Sequence, residues 1–96
     1  MTTFDLTKRF QRDLKKLKQG QREAFADAVK DFVQDLETGK FRPSLRVKRV
    51  QGTSDVFEMT WAPNGRATWQ YGTPARKNEP HVIWRRVGTH DIFKTP

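Results

Sequence analysis

The spacing of apolar residues changes halfway along the chain. From Gln21 to Glu37 apolar side chains recur at helical intervals, as expected of an amphipathic helix with one buried face: Phe25, Ala28, Val29, Phe32, Val33 and Leu36. Gly39 follows as a stop signal, and Pro43 prevents the helix from resuming. This segment is the strongest periodic match in the sequence and predicts a long helix.

A shorter helix precedes it. Phe4 and Leu6 alternate with a polar residue, which predicts a short first strand. Apolar residues then recur at helical spacing as far as Gly20, which we interpret as a helix breaker: Phe10, Leu14 and Leu17. Two helices joined at Gly20 would form a helical hairpin.

Beyond Pro43 the apolar period changes to two, the period of a strand with one buried face. Leu45 and Val47 alternate with basic residues and predict a strand. Residues 56–71 predict a hairpin around the turn Ala62-Pro63-Asn64-Gly65, because proline fixes φ and glycine tolerates positive φ. The run His81 to Val87 predicts a last strand, buried on both faces and followed by a polar tail.

The predicted order β-α-α-β-β-β-β indicates an α+β protein. A short N-terminal strand and a helical hairpin would pack on one face of a mostly antiparallel sheet of four or five strands. The other face would be left to basic and polar side chains, as an exposed platform. With 96 residues, we expect residues 1–96 to form a single domain.

Composition adds a strong positive charge to this picture. There are 19 Lys and Arg against 11 Asp and Glu, a net charge of +8, so we expect a polyanionic partner. Basic residues cluster on the first helix and again at residues 40–49, whereas acidic residues cluster on the second helix. This separation predicts a basic surface with an acidic back.

Several chemistries are excluded by the residues that the chain lacks. It has no Cys, which excludes disulfides, thiolate zinc sites and cysteine nucleophiles. Its two His lie nine residues apart without ligand spacing, and there is no glycine-rich phosphate loop, so we expect no metal and no small-molecule cofactor. No signal-peptide core or membrane span is evident, so we expect a cytoplasmic protein without membrane attachment.

Four motifs, in order, resemble the RelE/ParE toxin superfamily over nearly the whole chain. They are Arg49-Val50-Gln51-Gly52, Asp55-Val56-Phe57-Glu58-Met59, Gly65-Arg66 and Val87-Gly88-Thr89-His90-Asp91-Ile92-Phe93. The Gly-Thr-His ending is most similar to the RelE, YafQ, HigB and YoeB mRNA interferases. The resemblance implies a RelE-like fold and a ribosome-dependent mRNA endoribonuclease that is paired with an antitoxin.

The resemblance also implies roles for three residues. Arg66 matches the arginine that contacts the scissile phosphate, His90 lies where relatives place a histidine or arginine, and Phe93 lies near their terminal aromatic residue. The chain departs from RelE on the middle strand, where it has Glu58 and Thr60 in place of lysines. This departure favours a carboxylate or histidine mechanism over a lysine one.

Metal-free RNA cleavage by 2′-OH attack needs a base, an acid and a cation that stabilises the extra phosphate charge. Arg66 can supply the cation, and His90 can serve as acid or base. Glu58 lies on the strand that pairs with that of Arg66, on the face opposite the aromatic residues, and can take the other proton. An ordinary Glu58–Arg66 ion pair is the alternative. His81 is expected to be a surface histidine.

The remaining basic residues are assigned to nucleic-acid contacts, with a solvated charged face as the alternative. The expected substrate-binding residues are Phe93, Arg49, Lys48, Arg46 and Arg86. The expected contacts with ribosomal RNA are Lys8, Arg9, Arg12, Lys15 and Lys16. The expected partners are therefore a cognate antitoxin, the ribosome and mRNA.

Two other functions fit the same fold. A ParE-like protein would poison DNA gyrase by binding, and a non-catalytic RNA-binding module would keep the basic surface without chemistry. A titratable histidine and a carboxylate near a phosphate-binding arginine favour cleavage, because a pure binder needs no proton transfer.

Overall fold

The computed structural model describes residues 2–76 and 78–96. Two helices pack on one face of a five-stranded sheet with strand order β1-β5-β4-β3-β2. β1 runs parallel to β5, and all other neighbouring pairs are antiparallel, which confirms the predicted α+β architecture. The elements are β1 Thr3–Leu6, α1 Lys8–Lys16, α2 Gln19–Thr38, β2 Lys48–Arg49, β3 Phe57–Ala62, β4 Gly65–Tyr71 and β5 His81–Thr89.

The core lies between the helices and the sheet and is largely aromatic. Phe32 of α2 is fully buried, and its ring centroid lies 4.9 Å from that of Trp69 and 5.1 Å from that of Trp84. Phe10 of α1 packs on the same Trp84. The helical period that predicted α2 therefore identified its buried face, and α2 ends as predicted at Gly39, which has a φ of 83°.

The break between the helices is not at Gly20. Gly20 lies in the first turn of α2, whereas Leu17 and Lys18 are extended, with ψ of 140° and 160°. The Lys18 N–H donates to the Gln21 side-chain oxygen at 2.8 Å, which satisfies a backbone donor that the helix start would leave free. The capping side chain decides the boundary here, and the predicted breaker position was wrong.

The strand predicted at Leu45 and Val47 is also wrong in its bounds. Pro43–Leu45 forms a 3-10 turn with Pro43 at its first position, and Leu45 is buried in the helix-side core. Arg46 then adopts a left-handed backbone with φ of 47°, and only Lys48–Arg49 pairs with β3. A proline-initiated turn therefore replaces the start of the alternating segment.

The predicted hairpin is confirmed, with Pro63 and Asn64 as its two-residue turn between Ala62 and Gly65. β5 extends two residues beyond its predicted end, to Thr89. The predicted polar tail does not leave the sheet. Residues 90–96, here called the closing segment, begin with the 3-10 helix His90–Lys94 and bury Ile92.

This closing segment changes the second face of the sheet. Thr68 lies on the face away from the helices and is nevertheless fully buried, and Ile92 packs over Gly88. On β5, Val82 is fully buried whereas Ile83 is only partly so. The second face is therefore partly covered, and its open part lies over β2, β3 and β4. No helix within the described residues is long and apolar enough to cross a membrane.

Candidate functional site

Two adjoining depressions share Lys48, Glu58 and His90 and together form one groove on the second face of the sheet. The larger has a volume of about 580 Å³ and the smaller about 310 Å³. The larger is also lined by Arg49, Val50, Gln51 and Phe93, and the smaller by Arg46, Val47, Thr60 and Arg66. The groove therefore collects residues from β2, β3, β4 and the closing segment.

The β3–β4 register places Glu58 and Arg66 diagonally across neighbouring strands. Glu58 pairs with Thr68, and Thr60 pairs with Arg66, so Glu58, Thr60 and Arg66 share a face. Met59 and Ala67, which alternate with them, are fully buried in the helix-side core. This alternation is the arrangement expected from the sequence.

The alternative Glu58–Arg66 ion pair does not form. The carboxylate of Glu58 instead lies 3.9 Å from Nζ of Lys48, its partner in the β2–β3 register. That distance is long, and the lysine side chain is well exposed, so the pairing is weak. Glu58 itself is only 9% exposed, and none of the described residues donates a hydrogen bond to its carboxylate. A buried carboxylate with this spare accepting capacity is suited to bind a hydroxyl or take a proton.

One nitrogen of the Arg66 guanidinium is bound by the β3–β4 turn. Its Nη1 donates to the carbonyl oxygens of Ala62, Pro63 and Gly65, at 3.3, 3.3 and 2.9 Å. Within the described chain neither Nε nor Nη2 has a hydrogen-bond partner. The β3–β4 turn therefore fixes the side chain and leaves a cationic edge that can donate two bonds to one phosphate.

His90 and Phe93 reach the groove from the closing segment. The Thr89 side chain caps the 3-10 helix, because its hydroxyl oxygen accepts the backbone N–H of Asp91 at 3.4 Å. The rings of His90 and Phe93 meet edge to face with centroids 4.8 Å apart. His90 is exposed, and its imidazole makes no hydrogen bond to any described residue. Both ring nitrogens are thus without a partner among the described residues, and the residue lines the groove.

Arg46, Lys48 and Arg49 are exposed at the groove margin, so together with Phe93 four of the five predicted substrate-binding residues line the groove. Arg86 does not join them. Its Nε lies 2.7 Å from Oδ2 of Asp13, and its side chain is largely buried. Arg86 therefore forms a buried ion pair within the fold and does not line the groove.

The residues predicted to contact the ribosome form a separate surface. Lys8, Arg9, Arg12, Lys15 and Lys16 are all exposed on α1. α1 packs on β5 on the helix side of the sheet, whereas the groove opens on the opposite side over β2 to β4. The protein therefore presents two basic surfaces instead of one.

Several other charged residues outside the groove pair with one another and stabilise the fold. Asp35 of α2 accepts hydrogen bonds from the Arg42 side chain and backbone, and these bonds lower the pKa of Asp35. Asp31 pairs with the same Arg42 at 2.9 Å, which removes Arg42 from the predicted basic surface. His81 is not a free surface histidine: its Nε2 lies 2.9 Å from Asp5, and it bonds β1 to β5.

Gln51 is a polar groove residue that was not predicted from the sequence to belong to the site. It follows Val50 in the turn between β2 and β3, where Gly52 has a φ of 84°. In the sequence Gln51 and Gly52 are part of the first motif of the toxin resemblance, and that motif does not indicate which face of the sheet they border. No cluster of three or more potential metal ligands occurs among residues 2–76 and 78–96.

No family model matches the sequence, and no curated protein is significantly similar to it. Solved structures do match the fold. YafQ in the Escherichia coli DinJ–YafQ toxin–antitoxin complex has a TM-score of 0.70 at 11% identity, covering 94% of this chain and 93% of that one. A metal-bound toxin from Helicobacter pylori has a TM-score of 0.64 at 21% identity, covering 95% and 97%.

A third match comes from an archaeal complex. The RelB–RelE antitoxin–toxin complex from Methanococcus jannaschii gives a TM-score of 0.62 at 16% identity, covering 95% of this chain and 98% of that one. Coverage is nearly complete on both sides in all three matches. The chain therefore has the fold of these toxins, which confirms the RelE-like architecture expected from the sequence.

Proposed function

We propose that this chain is the toxin of a type II toxin–antitoxin pair and cleaves mRNA on the ribosome without a metal. The groove carries the proposal, because it brings a buried carboxylate, a fixed guanidinium and an accessible imidazole together inside a basic margin. The toxin fold supports the first part of the proposal. The chemistry of Glu58, Arg66 and His90 supports the second.

Cleavage would proceed by transfer of the phosphate within the RNA. A base removes the proton of a 2′-OH, the 2′-oxygen bonds to the adjacent phosphorus, and the bond from phosphorus to the 5′-oxygen breaks. An acid protonates that leaving oxygen, which yields a 2′,3′-cyclic phosphate and a 5′-OH. This balance requires one base, one acid and charge stabilisation on the phosphate oxygens.

The groove residues can fill these roles. Arg66 stabilises the pentacoordinate phosphorus, because its Nε and Nη2 edge is open while Nη1 is held by the turn. Glu58 and His90 act as the two proton-transfer groups, one as the base and the other as the acid. Phe93, beside His90, stacks on a base of the mRNA.

The two basic surfaces would bind two kinds of phosphate backbone. Arg46, Lys48 and Arg49 hold mRNA at the groove margin, and the exposed residues of α1 hold ribosomal RNA. The second group binds electrostatically, so its contribution falls as salt rises. This division separates substrate contacts from docking contacts.

An antitoxin is the third proposed partner. The neighbours DinJ–YafQ and RelB–RelE are complexes of a toxin with its antitoxin. For this chain, an antitoxin segment of acidic or amphipathic character would cover the basic margin of the groove and close the groove. We propose that the pair acts in the cytoplasm, where mRNA and ribosomes meet.

A ParE-like gyrase poison and a non-catalytic RNA-binding module share the fold but have no use for the groove chemistry. One experiment separates the three. The chain is induced in growing cells, and mRNA ends are mapped beside an Arg66→Ala control. Codon-registered cuts that the control lacks support the proposal, whereas intact mRNA with DNA damage supports the gyrase poison. Intact mRNA and intact DNA leave the binding module.

A further inference from the structure

His90 and Phe93 lie at the groove, yet neither side chain is bonded to the sheet. Among the described residues the imidazole of His90 has no hydrogen-bond partner, its ring packs against that of Phe93, and both residues belong to the same 3-10 helix. Their place in the groove therefore depends on how the closing segment, residues 90–96, is held against the rest of the protein.

Ile92 is buried against the sheet, and Arg86 of β5 donates more hydrogen bonds to the end of the segment than any other described residue. Its Nη1 donates to the carbonyl oxygen of Thr95 at 2.9 Å and to the Thr95 hydroxyl at 3.0 Å. Its Nε and Nη2 donate to the two carboxylate oxygens of Asp13 on α1, at 2.7 and 3.3 Å. Both side chains of this ion pair are about nine-tenths buried, at 13% and 10% exposure. One guanidinium thus joins a helix, a strand and the closing segment.

Neighbouring bonds fix the same end of the segment. Arg85 donates from Nε to the carbonyl oxygen of Pro96 at 3.1 Å, and Arg9 donates from Nη2 to the Thr95 hydroxyl at 3.3 Å. Asp13 also accepts the backbone N–H of Val87 at 3.2 Å, which locks its carboxylate to β5. The segment leaves β5 at Thr89 and is tied back to β5 and α1 six residues later.

We propose that Arg86, oriented by Asp13, is a positioning residue for His90. It fixes Thr95, and the short helix between Thr95 and the end of β5 then sets where His90 and Phe93 stand in the groove. The kinetic part of this inference rests on the proposed ribonuclease function. Because a proton-transfer group must stand within hydrogen-bond reach of its substrate atom, loosening the attachment reduces turnover more than substrate binding.

The test uses Arg86→Lys, which keeps the positive charge beside Asp13 but cannot span Asp13 and Thr95 together. Hydrogen exchange of the Thr95 amide, which donates to Ile92, and the ring resonances of His90 are measured by NMR. We expect exchange to accelerate by roughly tenfold or more and the His90 resonances to move toward those of a solvated histidine. With ribosomes, kcat should fall about tenfold while KM changes less than twofold.

Thr95→Val is the second variant, because it removes only the hydroxyl shared by Arg86 and Arg9 on an exposed residue. It should shift the same readouts in the same direction by a smaller amount. Thr73→Val, at another exposed threonine outside the segment, is the matched control. Should Arg86→Lys fail to fold, judged by exchange of the β3–β4 amides, Thr95→Val decides.

Unchanged His90 resonances and unchanged Thr95 exchange in the folded variants would overturn the inference. The NMR readouts do not require cleavage. If they move as expected while the wild-type chain cuts no mRNA, the attachment by Arg86 stands and the proposed ribonuclease function fails instead.

Discussion

Glu58 and Arg66 face the same side of the sheet on neighbouring strands, two positions apart in register, and do not bond to each other. The guanidinium turns instead to the carbonyl oxygens of the β3–β4 turn, and the carboxylate lies nearest to Lys48. Because neither group neutralises the other, the carboxylate keeps its accepting capacity and the guanidinium keeps a donating edge.

His90→Ala should lower the rate of mRNA cleavage by about 10² to 10⁴, because it removes a proton-transfer group. His81→Gln is the matched control, since His81 bonds β1 to β5 on the far side of the sheet from β2. The control should keep its cleavage rate, even if its melting temperature falls. Equal losses in the two variants, measured in single-turnover reactions, would point to a structural effect and count against a role for His90.

Glu58→Gln should lower the cleavage rate by about 10² or more, because an amide cannot exchange a proton with the RNA. The comparison is Lys48→Met, which removes the ammonium group that lies 3.9 Å from this carboxylate. That variant should raise KM through loss of a phosphate contact and leave the rate at saturation nearly unchanged. If both variants lose the same fraction of kcat, Glu58 serves the pairing with Lys48 and has no proton-transfer role.

Replacing Lys15 and Lys16 together by Ala should weaken ribosome binding and reduce its dependence on salt, because two phosphate contacts are lost. The chemical step on saturating ribosomes should be unaffected, since α1 lies on the opposite face from the groove. A double Ala variant of Lys30 and Lys40 has the same charge change outside α1 and serves as control. Identical salt slopes for the two double variants would reject α1 as the ribosome-binding surface.

The free energy of unfolding should depend on pH through Asp35. Hydrogen bonds from the Arg42 side chain hold the pKa of Asp35 below the usual carboxyl range in the folded protein. A lowered folded pKa stabilises the protein above the unfolded pKa, and this stabilisation is lost as pH falls through the folded value. Asp35→Asn should therefore destabilise the protein at neutral pH, with a difference from wild type that shrinks toward acid pH.

Denaturant titrations over a pH series check this prediction, with Asp27→Asn as the control. Asp27 is an exposed acid on the same helix and makes no ion pair to the described residues. A difference between wild type and Asp35→Asn that stays constant down to acid pH would show that the pair with Arg42 contributes through packing and not through charge.

The periodicity of apolar residues predicted the helices and strands more accurately than it predicted where they begin and end. Phe25 to Leu36 marked α2 and its buried face because helical spacing reflects burial directly, and the alternation of Glu58 and Arg66 with core residues placed both on one face. The start of α2 depended on the Gln21 side chain accepting the Lys18 N–H, a contact that periodicity does not encode. Local bonding between neighbouring residues therefore set the boundary.

The grouping of the candidate site residues was predictable where strand register alone brings them together. Arg46, Lys48 and Arg49 reached the groove because they precede or pair with β3. Arg86 does not line the groove, because its guanidinium pairs with Asp13, which lies 73 positions earlier in the chain. A basic residue on a strand looks the same in sequence whether it is free or paired, so only the tertiary structure separates the two cases.

The central claim is that Arg66 stabilises phosphate charge during cleavage. Its most direct measurement is single-turnover cleavage of mRNA on saturating ribosomes by wild type, Arg66→Ala and Arg66→Lys. Arg66→Ala should cleave more slowly by roughly 10² or more, with ribosome binding nearly intact. Arg66→Lys should restore little of the rate, because an ammonium group cannot donate two parallel hydrogen bonds to one phosphate as a guanidinium does. An unchanged rate in Arg66→Ala, with His90→Ala also unchanged, would contradict the proposed site.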